Sequence, residues 1–576
     1  NKPTKFLRYI TDPSGRQSLS VEYYTKADSS NPKVIDHIKA MTEISGRKFT
    51  FEYSDKGLLT KLTDGAGSAQ PKVFGFEYDA TQGNKNVKLV KVTDPRGNAT
   101  TMAYNAPQAG DDPKYHWWTK SITERLQGVT GFGYAVDAGN SKFTDTRVTD
   151  AENHTTVYVS DDFGRPVQTV NAKSETTKMS WDADNNVTYL EEANGAKTAY
   201  CYDQKTGYPL WKRDAESNKS GVPPPSDCAP GTYPANSAKY AYLTRGDGFS
   251  ADLFTKTSPE GRKWQFGYDS FGNLKTVTDP KGVSSATAGD YTTSYEYNAY
   301  GQLTKATDAN GNATLTGEFG PTGYPAKITD ALGKVTSYVY DERGQVREVT
   351  DALGKKTTQT YDTFGRPKES TVPKDQGAGV FITTPAPVYD ANDNVTTSTA
   401  PNGAVSTAVY DVADQLVSAT APKDTPTSPE RRTSYTYDKV GNTRTITEPK
   451  GSLTTSDATD YVTTNHYDEL YQLTSAVNAA GDKITYEFDN VGNAVKVVDP
   501  KKNATPDTTD YTSKMAYDLN HRVSTFTDSA GKVSSRTYDK DSLVLTSKDP
   551  GNATTTYEYD ERGKQTKVKV PYDATT

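Results

Sequence analysis

His37, His116, His154, His466 and His521 are the only histidines in this 576-residue chain, and they stand far apart. No pair has the short spacing that brings imidazoles onto one metal ion. Asp182-Ala183-Asp184-Asn185-Asn186 and Asp390-Ala391-Asn392-Asp393-Asn394 open like calcium loops, with oxygen-bearing side chains at alternate positions. Both lack the glycine that should follow and the distal glutamate, so they read as ordinary turns. Serine and aspartate are plentiful, yet nothing resembles a nucleophile elbow or a Ser, His and Asp set. Any two carboxylates could meet in the fold and hydrolyse a glycoside, but acids this common in turns are by default solvated surface. Arg245-Gly246-Asp247 spells an adhesion tripeptide that a turn also explains. Asn98, Asn312, Asn503 and Asn552 each precede Ala-Thr and are formal glycosylation acceptors, again at positions where a turn starts a strand. The residues thus assign no catalytic group, no metal and no cofactor, and the chain reads as a non-enzyme.

Cys201 and Cys228 are the only cysteines, and they flank a segment containing Pro223, Pro224 and Pro225. Two thiols bracketing one irregular loop suggest a disulfide and an oxidising compartment, secreted or at the cell surface. Two unrelated free thiols are the alternative, because sequence does not show whether the β-carbons approach. The net charge is -7, with lysine and aspartate mixed along the chain. No basic stripe is available to neutralise a phosphate backbone, which argues against a nucleic-acid partner. No apolar run approaches the ~18 residues of a membrane span. The segment from Asn1 has neither an initiator methionine nor an apolar signal core, so the chain is expected to be part of something longer.

The elements that would position these residues are set by a repeat. Aromatic-Asp pairs followed by glycine recur as Tyr268-Asp269 with Gly272, Tyr340-Asp341 with Gly344, Tyr361-Asp362 with Gly365, Tyr437-Asp438 with Gly441 and Tyr559-Asp560 with Gly563. Aspartate can accept a bond from the N–H two residues on, and glycine supplies a positive φ, so each motif is a turn that closes a strand. A second turn alternates with it: Thr278-Asp279-Pro280-Lys281-Gly282, Thr329-Asp330-Ala331-Leu332-Gly333, Thr350-Asp351-Ala352-Leu353-Gly354 and Thr527-Asp528-Ser529-Ala530-Gly531. One and the same step of twenty-one positions leads from Tyr340 to Tyr361, from Tyr389 to Tyr410, and from Tyr517 to Tyr538 to Tyr559. Two turns then leave two strands of about five to six residues, so one repeat is one β-hairpin. Longer steps carry their extra length after Asp279-Pro280, Glu448-Pro449 and Asp499-Pro500, which places the longer loops on one rim.

The 39 tyrosines and the many Thr and Val positions suit pleated strands, and helical periodicity is weak. Along the strand after Gly272, Leu274, Thr276 and Thr278 share one face while Lys275 and Val277 share the other, so neither face is continuously apolar. Such strands fit a wall wet on both sides better than a sandwich. About forty strands at ~4.8 Å would make a sheet roughly 190 Å wide, which twist must roll up. Cross-strand Tyr and Thr ladders are expected to stabilise it.

In the run from Tyr340 to Arg366 the two turns alternate in register, Tyr340-Asp341-Glu342-Arg343-Gly344, Thr350-Asp351-Ala352-Leu353-Gly354 and Tyr361-Asp362-Thr363-Phe364-Gly365-Arg366, and this pattern resembles the Rhs, or YD-repeat, family. The likeness is clear from about Tyr134 to Tyr559 and looser before. That family includes bacterial polymorphic toxins, the cocoon of insecticidal Tc toxin complexes and animal teneurins. The resemblance implies an all-β chain of tandem hairpins in a long spiralling antiparallel sheet, a hollow shell or part of one. It further implies a structural role in a larger secreted protein, enclosing or presenting a toxin or effector segment of the same parent chain. No Gly/Asn-rich core segment of the kind that ends such shells precedes Thr576. The rival expectation is a cell-surface module whose exposed tyrosines and asparagines bind glycans. The expected organisation is divergent repeats over 1–133, repeats over 134–200, an irregular proline-rich insertion over 201–242 and regular repeats over 243–576.

Overall fold

The structure, a computed structural model, describes residues 6–81, 87–106, 116–225, 228–244, 250–425, 427–454, 457, 459–507 and 510–571. Among these residues it is all-β, with forty-six strands from Tyr9–Thr11 to Gln565–Lys569. Helix is confined there to one turn at Pro280–Val283 and a 3-10 turn at Pro500–Ala504, capped by Asp279 and Asp499. Both lie in the longer steps after Asp-Pro, where proline at the first helical position costs no hydrogen bond. Pairing is antiparallel between strands consecutive in sequence, as in Val335–Tyr340 with Val346–Thr350, and that strand with Lys356–Tyr361. The result is a meander of hairpins in two sheets of 30 and 16 strands. They separate after Val380–Thr384, where Pro385 and Pro387 lack the N–H a ladder needs.

The chain divides into two compact units. One comprises Asn1–Phe132, Thr149–Asn153 and Leu315–Val462; the other comprises Gly133–Val148, His154–Thr314 and Thr463–Thr576. Within each unit most strand residues are half-buried, as the alternation of polar and apolar side chains on both faces requires. Threonine pairs bridge neighbouring strands, Thr436 with Thr445 at 2.6 Å and Thr537 with Thr546 at 2.7 Å. Half-buried lysines pair with the exposed glutamate before the repeat aromatic, Lys61 with Glu52, Lys305 with Glu296 and Lys496 with Glu487. Each pair contributes only a few tenths of a kcal/mol to about 1 kcal/mol. A conventional core forms at Ala199, Cys201, Leu210 and Trp211, packed by Tyr189, Cys228 and Tyr233.

The repeat tyrosine does more than pack. At the end of its strand its hydroxyl donates to the carbonyl of the first residue of the preceding strand, which lies just beyond the ladder: Tyr340 to Pro325 at 3.0 Å, Tyr361 to Val346 at 2.9 Å, Tyr538 to Val523 at 2.7 Å and Tyr559 to Val544 at 2.7 Å. Trp181 makes the same bond through its indole N–H to Pro166 at 2.7 Å. Where the intervening turn is longer the bond persists over more residues, from Tyr297 to Leu274, and it persists across an intervening strand, Val380–Thr384, from Tyr389 to Pro367. The Tyr389 bond crosses the break between the two sheets. Where tyrosine stands at this position its hydroxyl serves as well as its ring, because an open carbonyl at a strand end otherwise relies on water.

Two outcomes are expected. Tyr361→Phe removes the donor to Val346 and should lower stability by about 1 kcal/mol, seen as an earlier denaturant midpoint. Burial pushes the phenols of Tyr340, Tyr361, Tyr437 and Tyr559 above their ordinary value. The folded state favours the neutral phenol, so this stabilisation is complete below the unfolded value of ~10 and is lost as pH rises through the folded values. The midpoint should stay level up to about pH 10 and fall beyond it; a flat profile at higher pH would rule the linkage out.

Candidate functional site

Each repeat motif stands in one turn of fixed geometry. In Tyr340-Asp341-Glu342-Arg343-Gly344 the Asp341 carboxylate accepts from the N–H groups of Arg343 and Gln345, both at 2.9 Å. The Gly344 N–H returns to the Asp341 carbonyl, and the Asp341 N–H donates to the Gln345 carbonyl. The same bonds are made by Asp269, Asp362, Asp438 and Asp560. Gly272, Gly344, Gly365, Gly441 and Gly563 all have positive φ, as a type I turn closed by a left-handed residue demands. Hydrogen bonds from Asn273 hold the Asp269 carboxyl below its usual value. At Asp362 burial opposes ionisation, but the bonds from Arg366 prevail and lower the carboxyl as well.

The turns of the second kind repeat this geometry at Asp330, Asp351 and Asp528. Both rims of the strip are thus built alike. The two loops with calcium-like openings are turns of the first kind. Both Asp182 oxygens are occupied by Asp184 and Asn186, and both Asp390 oxygens by Asn392 and Asn394. Among the described residues no cluster of three or more His, Cys, Asp or Glu is placed to hold a metal ion. Arg245-Gly246-Asp247 lies outside the described residues.

Cys201 and Cys228 are joined as a disulfide with α-carbons 5.7 Å apart. The loop between them is held further by Tyr189 donating to the Gly221 carbonyl at 2.9 Å and by fully buried Asn218 donating to the Lys197 carbonyl at 3.0 Å. Trp181, Asp184, Tyr202, Pro224 and Pro225 line a groove of about 520 Å³ beside it.

A feature the sequence did not announce is a seam within each unit. Turns of the second kind from the earlier strip lie against turns of the first kind from the later strip, and their hydrogen bonds span 277 to 329 residues. In the first unit Ser14 bonds the Pro321 carbonyl, Glu43 pairs with Arg343, and Lys72 pairs with Asp393. Phe364 is enclosed by the Arg47 and Lys72 cations at 5.2 and 4.3 Å from its ring centre. A β-carbon at Gly65 would stand 2.7 Å from that ring, so only glycine permits the approach. Further along, Asp414 accepts from Arg96 at 2.9 Å, Arg125 at 2.5 Å, Asn392 at 3.0 Å and Asn394 at 2.7 Å. Burial opposes ionisation of Asp414, but these donors prevail and hold its carboxyl at about 2. Glu152 of the same unit accepts from the Lys439 N–H at 2.8 Å.

In the second unit Lys173 pairs with Asp468 at 2.5 Å, His521 with Glu192 at 2.9 Å and Arg262 with Asp539 at 3.0 Å. Glu260 accepts from the Lys540 N–H at 2.8 Å while its own N–H donates to Asp541 at 3.1 Å. Glu216 makes the same reciprocal pair with Leu519 and Asn520.

In several seam turns the usual left-handed glycine is replaced. Asp393, Asp414, Tyr471 and His521 occupy that position with φ of 73°, 67°, 63° and 60°. A side chain there costs roughly 1–2 kcal/mol of backbone strain. Asp393, Asp414 and His521 offset it with bonds across the seam, and the Tyr471 ring lies 5.2 Å from that of His154. Of the residues singled out in the sequence, the seam therefore gathers His154, His521, the Asp341-to-Gly344 and Asp362-to-Gly365 turns, and both Asn392 and Asn394. His37 instead packs on Tyr53, with ring centres 4.8 Å apart.

A model of the RHS Repeat family matches residues 253–284, 283–313, 340–376 and 389–426. These four segments are Rhs repeats. No curated protein matches it. Among solved structures, the crystal structure of TcdB2-TccC3-Cdc42 resembles it with a TM-score of 0.56 at 14% identity, over 94% of this chain and 31% of that one. A Tc holotoxin pore of Photorhabdus luminescens, in a TccC3 mutant form, gives 0.42 at 14% identity over 96% and 30%. The likeness to the first is one of fold, and this chain spans about a third of the length of each of these chains. Among the described residues no helix is long and apolar enough to cross a membrane.

Asp414→Gly tests the seam directly, because it relieves the backbone while stranding Arg96 and Arg125. A net loss of about 1–3 kcal/mol is expected, as for other part-buried charge partners. Since the folded carboxyl is depressed to about 2, its contribution is present above the unfolded value of ~3.9 and fades as pH falls through the folded one. The gap between parent and variant should therefore close toward pH 2. Cys201→Ser is expected to cost roughly 3.5 kcal/mol by loop-closure entropy, with intact-mass measurement after alkylation of the parent showing no free thiol.

Proposed function

We propose that this chain is the wall of an Rhs shell, a non-catalytic part of a larger secreted protein that encloses or presents a toxin or effector segment of its parent chain. The observation that carries this reading is the seam. In both units a strip of hairpins is zipped rim to rim against another strip far along the chain, by bonds that span 277 to 329 residues. A flat sheet has no use for such contacts, since its rims face solvent; a wall that must retain contents needs them along its whole length. Strands that are half-buried on both faces support the same reading, because a wall meets water or cargo on each side. The disulfide supports an oxidising destination. The Rhs repeat match supports a structural role for the strip itself.

Small-angle scattering tests the wall. A filled globule of this length has a radius of gyration of ~25 Å. The expected radius is larger, with a pair-distance distribution whose broad maximum is displaced to long distances. A compact radius with a bell-shaped distribution would mean filled sandwiches and would remove the physical basis for enclosure; a long decaying tail would mean an open rod.

A further inference from the structure

The hairpin of strands Pro367–Asp375 and Val380–Thr384 departs from the rest of the wall in its length and its pairing. Its first strand has nine residues, against five in Val346–Thr350 and six in Lys356–Tyr361 beside it. Pairing with Lys356–Tyr361 ends at Thr358 with Thr371, whereas pairing between the hairpin's own strands runs on to Asp375 with Val380. The ribbon therefore projects past the rim. Its tip is tied back on one side only, where the Gln376 side chain accepts from the Lys356 N–H at 2.8 Å and donates to the Gly354 carbonyl at 2.7 Å. On the other side Val380–Thr384 pairs with no strand among the described residues, and Pro385 and Pro387 keep the following chain from folding back onto it.

That open edge is apolar. Val380, Phe381 and Ile382 are 44%, 47% and 37% exposed. Residues 376–389 contain no charged side chain, although 24% of the chain is charged. Natural edge strands are normally guarded by lysine, by inward charges or by a covering loop, and an unguarded β-branched edge pairs with another strand. The lack of charge bears on the occupant as well. A partner recognised by its charge finds no complement here, while the edge opposed to itself meets no like-charge repulsion.

We propose that Val380–Thr384 is a dimerisation edge that pairs antiparallel with the same strand of a second copy of this chain. Centred on Ile382, the pairing sets Ile382 against itself, Phe381 against Thr383 and Val380 against Thr384, joining the two hairpins into one four-stranded ribbon. Such a contact is isologous and closes at two copies. Two five-residue strands bury much less than the ~1,200–2,000 Å² of a stable interface, so the dimer is weak and concentration-dependent. The test is sedimentation and light scattering of the intact chain from micromolar to millimolar concentration. The mass should rise from one copy toward two and stop, with the 380–384 amides gaining protection from hydrogen exchange. Ile382→Lys, which sets two lysines face to face, should hold the mass at one copy with an unchanged far-UV spectrum. Ile382→Cys should give a covalent dimer on mild oxidation, and Asn310→Cys, on an exposed turn, should not. A single-copy mass at all concentrations, growth beyond two copies, or self-association undisturbed by Ile382→Lys would each overturn the proposal.

Discussion

A side-chain oxygen accepting two backbone N–H bonds is the interaction on which this chain depends. At the first position of most turns it fixes the residues that follow without help from any core, and both rims of the strip use it. A chain with 33% hydrophobic residues spread over so many strands cannot rely on burial to set register. Register is instead set locally, turn by turn, and reinforced by the tyrosine hydroxyl that reaches back to the neighbouring strand end. The strip therefore behaves as a quasi-one-dimensional array, in which each hairpin answers mainly to its neighbours.

Local turns make a strip but leave its rims open, and the seam resolves this with a second layer of polar contacts. At the seam the turn keeps its backbone bonds while the residues between them change character. Ser14, Arg96, Glu152, Glu216 and Glu260 face another strip, whereas the equivalent positions of other turns hold Leu332, Leu353 and Phe271, each more than four-fifths exposed. A position within the repeat thus keeps its geometry and changes its chemistry. The replacement of glycine at Asp414 and His521 is the sharpest case, because backbone strain is accepted where a side chain is needed across the seam.

The fold was legible in the sequence because turn chemistry is local. The recurring step between repeat tyrosines, the Tyr-Asp-x-x-Gly turns and the alternate Thr-Asp turns are sufficient to place hairpins, and the structure has them at those positions. The helical turns at Pro280–Val283 and Pro500–Ala504 were legible only as longer loops, since single turns carry no periodicity. The tyrosine hydroxyl's role was hidden for a different reason: a ring on a strand already accounts for tyrosine, and nothing in the spacing separates the ring from its oxygen. The seam was not legible from spacing at all, because its partners belong to strips far apart in the chain. A signal was nevertheless present. Asp393, Asp414, Tyr471 and His521 stand where the repeat calls for glycine, and a side chain at a left-handed position carries strain that contacts outside the turn can offset.

Seam and turn also divide stability between different physical sources. The turns rest on short-range hydrogen bonds within one motif, little affected by salt or by events elsewhere in the chain. The seam rests largely on charged pairs and charge-assisted bonds between segments that loop closure must first bring together, at an entropic cost that grows only slowly with the intervening length. An array of this kind can form its hairpins independently and zip them afterwards, so breaking one seam pair should weaken the contact between strips while leaving the ladders intact. Apolar burial enters where this scheme is interrupted, around Cys201, Leu210 and Trp211, where a long irregular loop has no repeat neighbour to order it. There a small core and a disulfide do what the Asp turn does everywhere else, which is why the most conventional packing in the molecule coincides with its least regular sequence.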